Sequence, residues 1–165
     1  MLTITPLADP ADVRLAAQTM ATSEPWLTLG RTFDESLAIL NDPSRERFVA
    51  HDDGAFRGFL LMHPRTPIGG YISIVAVTAE ARGSGVGSLL LDFAEERIFR
   101  ESANAFLCVS GFNTGARALY ERRGYVEVGV LREFLVRGHD EILMRKSIAP
   151  LREFAAAQSS RTNER

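Results

Sequence analysis

The residues with the clearest chemical potential lie in a glycine-rich segment, residues 82–88, which reads RGSGVGS. A strand pattern precedes this segment and a leucine-rich helical pattern follows it. That order leaves the first backbone N–H groups of the helix free, and the helix dipole adds partial positive charge there. No acidic residue stands between positions 83 and 91 to complement the dipole, and Arg82 can add a fork of donors. The pattern therefore predicts a binding site for an anion, and specifically for a phosphate group.

Three other interpretations of the glycines are open. A tight turn, in which glycines only relieve crowding, needs no ligand. A P-loop requires Gly-Lys-Ser/Thr after the glycines, whereas this chain has Gly87-Ser88-Leu89. A dinucleotide fingerprint requires a third glycine where the sequence from Gly85 has leucine, and the acid expected at the end of the next strand is missing. The phosphate site without a P-loop or dinucleotide fold fits the residues best.

Other reactive side chains are sparse. Cys108 is the single cysteine, which excludes an internal disulfide and a zinc site built on several thiolates. Three histidines share no ligand spacing, so no metal is expected. Because Cys108 falls in an apolar strand pattern with no partner base nearby in sequence, we interpret it as a small buried residue rather than a nucleophile.

Composition and charge are those of an ordinary globular domain. Of 165 residues, 45% are hydrophobic and 24% are charged, and the net charge of −2 offers no strong field to nucleic acid or to an anionic membrane. The N-terminus lacks a basic region followed by an apolar run, and no segment approaches about 20 apolar residues. We expect a cytoplasmic protein with one domain over residues 1–149. A polar tail at 150–165 is expected to begin as a short helix and to be partly disordered.

Hydrophobic patterning predicts the elements that position the glycine segment. Apolar runs at 71–78 and 105–110 predict buried strands, and the helix between them extends to about residue 100. The two strands of such a β-α-β unit lie parallel. Glu95, Glu96 and Arg97 are expected on the solvated face of that helix. The other predicted elements are a strand at 2–8, helices at 10–21 and 32–42, a hairpin of strands at 47–52 and 55–63, a loop at 63–70, a helix at 113–123 and a hairpin at 125–146.

Two blocks of sequence resemble a known family. The segment VAVTAEARGSGVGSLLL at 75–91 is similar to the acyl-CoA-binding segment of the GNAT superfamily of N-acyltransferases, whose hallmark is Arg/Gln-x-x-Gly-x-Gly/Ala. The segment SGFNTGARALYERRGYVEVG at 110–129 resembles the family's second block, with an asparagine, then Ala-x-x-Leu-Tyr, then Gly-Tyr. The resemblance covers residues 46 to 147. It implies an α/β fold with a mixed, mostly antiparallel central sheet of about seven strands, flanked by helices, with the parallel crossover at 71–110.

The resemblance also implies site residues for acetyl-CoA. Its pantetheine arm would bond to the backbone of Val75 and Val77 where the strands at 71–78 and 105–110 splay apart. Arg82 and the amides of residues 83–88 would cradle the pyrophosphate, and Asn113 would contact the pantetheine or the substrate side. Tyr120 would protonate the departing thiolate, since a phenol with a pKa near 10 is protonated at neutral pH. The implied cofactor-binding residues are Val75, Val77, Arg82, Gly83, Ser84, Gly85, Val86, Gly87, Ser88, Asn113 and Tyr120.

The implied function is an acetyl-CoA-dependent N-acetyltransferase that acts by direct attack of a primary amine in a ternary complex, without a metal. The amine, on a small molecule or a protein, is mostly protonated at neutral pH and needs a base. The strand glutamate of the family's peptide N-terminal acetyltransferases is absent, and Glu24, Glu133 and His139 are candidates for the base. The alternatives are a non-catalytic acyl-CoA-binding or sensor module and, more remotely, a dinucleotide-binding oxidoreductase domain. Whether the protein forms a homodimer is left open.

Overall fold

A computed structural model describes residues 1–163 of the chain as a seven-stranded mixed sheet with helices on both faces. The strand order across the sheet is β1-β2-β3-β4-β5-β7-β6. Only β4 and β5 pair in parallel, so the predicted mixed, mostly antiparallel sheet is confirmed. The elements are β1 Leu2–Pro6, α1 Pro10–Thr22, α2 Phe33–Leu40, β2 Glu46–Asp52, β3 Ala55–Thr66, β4 Gly69–Val77, α3 Val86–Phe99, β5 Asn104–Ser110, α4 Thr114–Arg122, β6 Val126–Val136, β7 His139–Ser147 and α5 Leu151–Asn163.

Local capping chemistry explains where the helices begin. The side chain of Asp9 accepts a hydrogen bond from the N–H of Ala11 at 2.8 Å, and Pro10 opens α1. Thr32 and Glu35 form a reciprocal capping box at the start of α2. Each cap satisfies N–H groups that have no partner inside the helix. Because the capping residues lie next to the helix in sequence, the helix starts can be predicted from sequence.

One predicted loop is wrong. Residues 63–70 were expected to form an irregular connection, but β3 extends to Thr66 and β4 begins at Gly69. Only two turn residues separate the strands, and the hydroxyl of Thr66 donates to the carbonyl of Gly69 at 2.5 Å. Pro64 and Pro67 are unusual in a strand, so the sequence pattern of this segment did not indicate one. The strand tolerates Pro64 because the pairing register of β3 with β4 shifts in this segment, where a missing N–H does little harm.

The β4-α3-β5 crossover carries the feature that matters for function. Backbone pairing between β4 and β5 is confined to residues 70–72 against residues 105–107, although the strands continue to Val77 and Ser110. Gly70 allows this start of the pairing to lie against α3, because a Cβ there would overlap the side chain of Ile98. The predicted parallel pair is confirmed, and beyond Ile72 the two strands diverge and leave a gap.

Two apolar clusters hold the sheet from opposite faces. One packs α3 against the strands and includes Leu90, Leu91 and Ile98, each with no exposed surface. The other packs α1 and α2 on the opposite face around Met20 and Leu40. Burial on both faces fits the nearly continuous apolar pattern of the central strands.

The expectation that Glu95 lies on a solvated face of α3 is wrong. Its side chain is only 7% exposed and accepts from the Nζ of Lys146 at 2.6 Å and from the Nε of Arg123 at 3.2 Å. Arg123 also bonds Asp92. This ion-pair cluster ties α3 to the end of α4 and to β7.

The chain after Pro150 forms α5 over Leu151–Asn163, where a short helix start was predicted. Residues 164 and 165 of the predicted polar tail lie outside the described residues. None of the helices in the described part of the chain combines the length and apolar character needed to cross a membrane.

Candidate active site

A cavity of about 630 Å³ opens where β4 and β5 diverge. Its walls come from both strands, α4, the segment between α1 and α2, and the hairpin of β6 and β7. Six residues predicted for the site line it: Glu24, Val75, Val77, Arg82, Asn113 and Tyr120. The divergence of the strands therefore brings together residues that are up to 96 positions apart in sequence.

The polar backbone groups of Val75 and Val77 point into the gap. The N–H of Thr78 donates to the carbonyl of Arg57 on β3, at 2.9 Å. Backbone polar groups of successive strand residues point to opposite sides, and β4 pairs with β3 in regular register from Val75 to Val77. Val75 and Val77 therefore face away from β3, toward the side where β5 has already diverged. An extended ligand can pair with them as an added strand would.

The start of α3 is built as an open anion site. Gly85 is the N-cap residue in a left-handed conformation, φ +89°, and it supplies no side-chain cap. The first turn contains no acid, and the N–H groups of Val86, Gly87 and Ser88 donate to no group within residues 1–163. Among the other amides predicted for the cradle, that of Ser84 donates to the carbonyl of Ala81 at 3.3 Å. The amides of Gly83 and Gly85 also donate to no described residue, so five free N–H groups and the helix dipole remain for a ligand anion.

Tyr120 lies on α4 and faces the cavity. Burial raises the pKa of its phenol to about 12. The ring packs edge-on against Tyr125 with centroids 5.9 Å apart, and the hydroxyl bonds to no residue of the described chain. Asn113 positions α4, since its side-chain oxygen accepts from the N–H of Ala116 at 3.3 Å. A protonated hydroxyl is thus held at the cavity with its donor capacity unused.

Glu141 is a cavity residue that the sequence patterns did not reveal. It is 4% exposed, and its carboxylate accepts a 2.6 Å hydrogen bond from the hydroxyl of Ser110, which lies opposite it on β5. Burial raises the pKa of Glu141, and the bond from Ser110 opposes this effect. The local sequence gives no signal for it, because Glu141 follows another acid, the exposed Asp140, and only the pairing of β7 with β5 shows that it is buried.

The three predicted base candidates occupy different places. Glu24 is exposed at the cavity wall, and its carboxylate accepts from the hydroxyl and the N–H of Thr28 at 2.9 and 3.2 Å. Glu133 accepts from the N–H of Gly138 within the β6-β7 hairpin, and His139 packs its ring edge-on against Phe112. Glu133 and His139 are not among the residues that line the cavity.

Cys108 and Tyr71 form a neutral pair beside Glu141. Burial raises the pKa of the Cys108 thiol, and a hydrogen bond with Tyr71 opposes the effect. The pKa of Tyr71 is raised by burial and then by this same bond. A thiol held protonated is a poor nucleophile, as expected for Cys108, but the residue is only partly buried and lines the cavity, so the expected burial is wrong in part.

Comparison with known proteins identifies similar chains. The sequence profile of the Acetyltransferase (GNAT) family matches residues 14–125. An N-alpha-acetyltransferase of Sulfurisphaera tokodaii is 33% identical over 113 residues, which are 59% of this chain and 66% of that protein. An uncharacterized N-acetyltransferase of Methanocaldococcus jannaschii is 35% identical over 101 residues, 60% of this chain and 64% of that protein. The chain thus spans slightly less than two thirds of both relatives.

A solved structure shares the fold. The crystal structure of an aminoglycoside 6'-N-acetyltransferase complexed with coenzyme A superposes with a TM-score of 0.72 and 20% identity. The match covers 91% of this chain and 98% of that one. At this identity the likeness concerns the fold.

Proposed function

This chain belongs to the GNAT family of acetyltransferases, and we propose that it transfers an acetyl group from acetyl-CoA to a primary amine by direct attack in a ternary complex. The observation that carries the proposal is the gap between β4 and β5, which opens into a cavity lined by an unbonded tyrosine hydroxyl. The coenzyme A bound by the aminoglycoside 6'-N-acetyltransferase of the same fold supports a CoA-type co-substrate.

The predicted cradle supports the choice of acetyl-CoA as donor. The pyrophosphate would bind the N–H groups of Val86, Gly87 and Ser88, assisted by Arg82. The pantetheine arm would then run along β4, pairing with Val75 and Val77. This path leads the thioester from the open helix end to the cavity beside Tyr120.

The transfer itself needs one proton removed and one supplied. The ammonium of the acceptor loses a proton to a base, and the free amine attacks the thioester carbonyl carbon. The carbon–sulfur bond breaks, and the departing thiolate takes the proton of Tyr120. The second proton of the attacking nitrogen restores the phenol, so the products are an amide, the CoA thiol and one proton.

We assign the base to Glu141 rather than to the three candidates expected from sequence. It is a buried carboxylate in the cavity wall, and its raised pKa makes it a stronger base than an exposed glutamate. The groups around it are Tyr71 on β4 and Cys108 and Ser110 on β5, all neutral at pH 7. Glu24 is the next candidate because it also lines the cavity.

A thermal-shift comparison of acetyl-CoA, CoA, NAD and ATP tests the donor. Acetyl-CoA at 100 times its Kd should add about 2.7 kcal/mol of stability, whereas NAD and ATP should add much less. Acceptor-dependent release of CoA across a panel of amines then tests catalysis. Tight binding with no release for any amine would instead support the sensor alternative, and a preference for NAD would contradict the proposal.

The pH dependence of kcat/KM tests Glu141. Activity should fall as pH decreases through the raised pKa of Glu141, because the protonated carboxyl cannot accept a proton. Glu141→Gln keeps the shape and an acceptor for Ser110, so it should lower kcat by about 100-fold or more with an unchanged Kd for acetyl-CoA. Glu24→Gln is the matched control. A loss of activity confined to Glu24→Gln would instead assign the base to Glu24.

A further inference from the structure

Two arginines line the part of the cavity that the acetyl-CoA cradle does not use. Arg31 lies near the end of the segment between α1 and α2, and Arg45 lies between α2 and β2. Both come from the side of the domain opposite to α3, where the pyrophosphate is proposed to bind. The diphosphate therefore does not account for their charge.

Neither guanidinium is well compensated by the protein. The guanidinium of Arg31 forms no hydrogen bond or ion pair within residues 1–160, and only its backbone N–H is engaged, by the carbonyl of Trp26 at 3.0 Å. Burial lowers the pKa of this guanidinium, an effect opposed by Glu35 and reinforced by Arg45. The Nε of Arg45 is buried without a hydrogen bond, and its one ion pair is with Asp42 at 3.4 Å. The carboxylate of Asp42 is also engaged by the N–H of Ser44 at 2.9 Å.

Other arginines of the chain show what compensation looks like here. Arg97 bonds two carboxylates at 2.8 and 2.5 Å. Arg47 donates to the carbonyl of Leu40 at 2.6 Å and to the side chain of Asn41 at 3.2 Å. Two neighbouring, partly desolvated cations that repel each other are costly to keep in an empty cavity, and an anionic ligand would remove that cost.

The opposite charge lies across the same cavity. Tyr71, Glu141, Arg31 and Arg45 line one cavity, and Tyr71 is close enough to interact electrostatically with both Glu141 and Arg45. A ligand in this cavity can therefore meet both a carboxylate and guanidinium groups. Trp26 supplies an apolar wall on the side of Arg31.

We propose that Arg31 and Arg45 bind an anionic group of the acceptor, so that the preferred acceptor is a small amine that also carries a carboxylate or a phosphate. Its ammonium would lie toward Glu141 and its anion toward the two guanidiniums. This inference rests on the proposed function and narrows its acceptor class from any primary amine to a zwitterion.

Matched acceptors test the proposal in the acetyl-CoA-saturated protein. One arm compares amino acids with their amides, and a second compares aminoalkyl phosphates with the corresponding amino alcohols. The anionic member of a pair should have a kcat/KM roughly 10- to 100-fold higher, as expected for charge-assisted bonds to arginine. The comparison that gives the larger preference shows whether the preferred acceptor carries a carboxylate or a phosphate.

Variants assign the preference to these arginines. The double variant Arg31→Met/Arg45→Met should abolish the preference, so that kcat/KM for the anionic acceptor falls to that of its neutral partner, and should leave the Kd of acetyl-CoA unchanged. Arg152→Met, an exposed arginine on α5 that does not line the cavity, is the control. Calorimetric binding of N-acetyl amino acids to the CoA-saturated protein gives a readout that needs no turnover.

Two outcomes overturn the proposal. Neutral and anionic acceptors could be used and bound equally, or the double variant could lose acetyl-CoA affinity, which would assign the arginines to the donor. In either case the wild-type protein could still bind acetyl-CoA and release CoA with neutral amines, and the proposed acetyltransferase function would then stand. Failure of that function appears separately, as the absence of any acetyl-CoA response.

Discussion

A single charge placed at the start of α3 should affect stability and ligand binding in opposite directions. Gly87 is the second residue of α3, and a Cβ there would meet only the side chain of Val77, at 3.4 Å, an ordinary contact. Gly87→Asp therefore fits the fold. The new carboxylate complements the helix dipole by 0.3–1 kcal/mol, and loss of the glycine adds a few tenths, so the free protein should gain about 1 kcal/mol of stability.

The same carboxylate should oppose the pyrophosphate. Two unit charges 4 Å apart repel by about 4 kcal/mol at an effective dielectric constant near 20, and the exposed loop reduces this to about 1–2 kcal/mol. The Kd for acetyl-CoA should then rise roughly 5- to 30-fold. Gly87→Asn has nearly the same shape without the charge and controls for it.

Two measurements decide this prediction. Thermal unfolding of the free protein should give a Tm about 2–4 °C higher for Gly87→Asp than for wild type, and a smaller gain for Gly87→Asn. Calorimetric titration with acetyl-CoA should show weaker binding for the aspartate variant than for the asparagine variant. Equal affinities of the two variants would refute the placement of the pyrophosphate at this helix end.

Three further predictions follow from individual side chains. Tyr120→Phe should lower kcat by about 100-fold or more with little change in the Kd of acetyl-CoA; because burial raises the pKa of this phenol to about 12, activity should not decline below about pH 11 through its ionisation. Glu141 has a folded-state pKa above its ordinary value of 4.5, so the stability from its protonated form is lost as pH rises through the folded pKa. Glu141→Gln should therefore raise Tm relative to wild type at neutral pH and progressively less as pH falls toward 4.5, and a constant difference across that range would contradict the shift. Glu95→Ala should cost about 2–3 kcal/mol in urea unfolding, because it removes a buried carboxylate that bonds two partly buried cations, and Lys146 then loses its acceptor while Arg123 keeps only Asp92. The exposed Glu96→Ala should cost only about 0.3–0.5 kcal/mol, so equal losses in the two variants would be inconsistent with burial of the first pair.

Local sequence patterns predict the parts of the fold that local chemistry determines. The caps at Asp9 and Asn113 involve groups two or three residues away, and the Asp53-Gly54 turn between β2 and β3 needs only two residues with positive φ, which are 49° and 80° here. The open helix end at 82–88 belongs to the same class, because a glycine cap and an acid-free first turn are contiguous in sequence. These features follow from the residues that stand next to one another.

Glu141 and Glu95 could not be placed in this way. The environment of Glu141 depends on the β5-β7 register, which sets it opposite a residue 31 positions away. Glu95 shares the spacing of an exposed helix face and becomes buried only because Lys146 and Arg123 approach from β7 and the end of α4. Pairing over such distances in sequence is decided by tertiary packing, on which local periodicity carries no information.

The two buried acids, Glu95 and Glu141, differ in their partners, and the difference indicates a structural role for Glu95 and a functional role for Glu141. Glu95 has two cations within hydrogen-bonding distance, as expected of a buried charge kept for stability. Glu141 has one neutral hydroxyl as its partner. The guanidinium of Arg31, which pairs with no carboxylate within residues 1–160, and that of Arg45, which has one ion pair with Asp42 at 3.4 Å, line the same cavity. Charges of both signs that the protein pairs weakly or not at all lower the stability of the free protein, and they are tolerated where a ligand supplies the missing counter-ions. A zwitterionic acceptor supplies both. Its binding should therefore stabilise the CoA-bound protein more than a neutral amine of equal size does, and the difference should vanish in Arg31→Met/Arg45→Met.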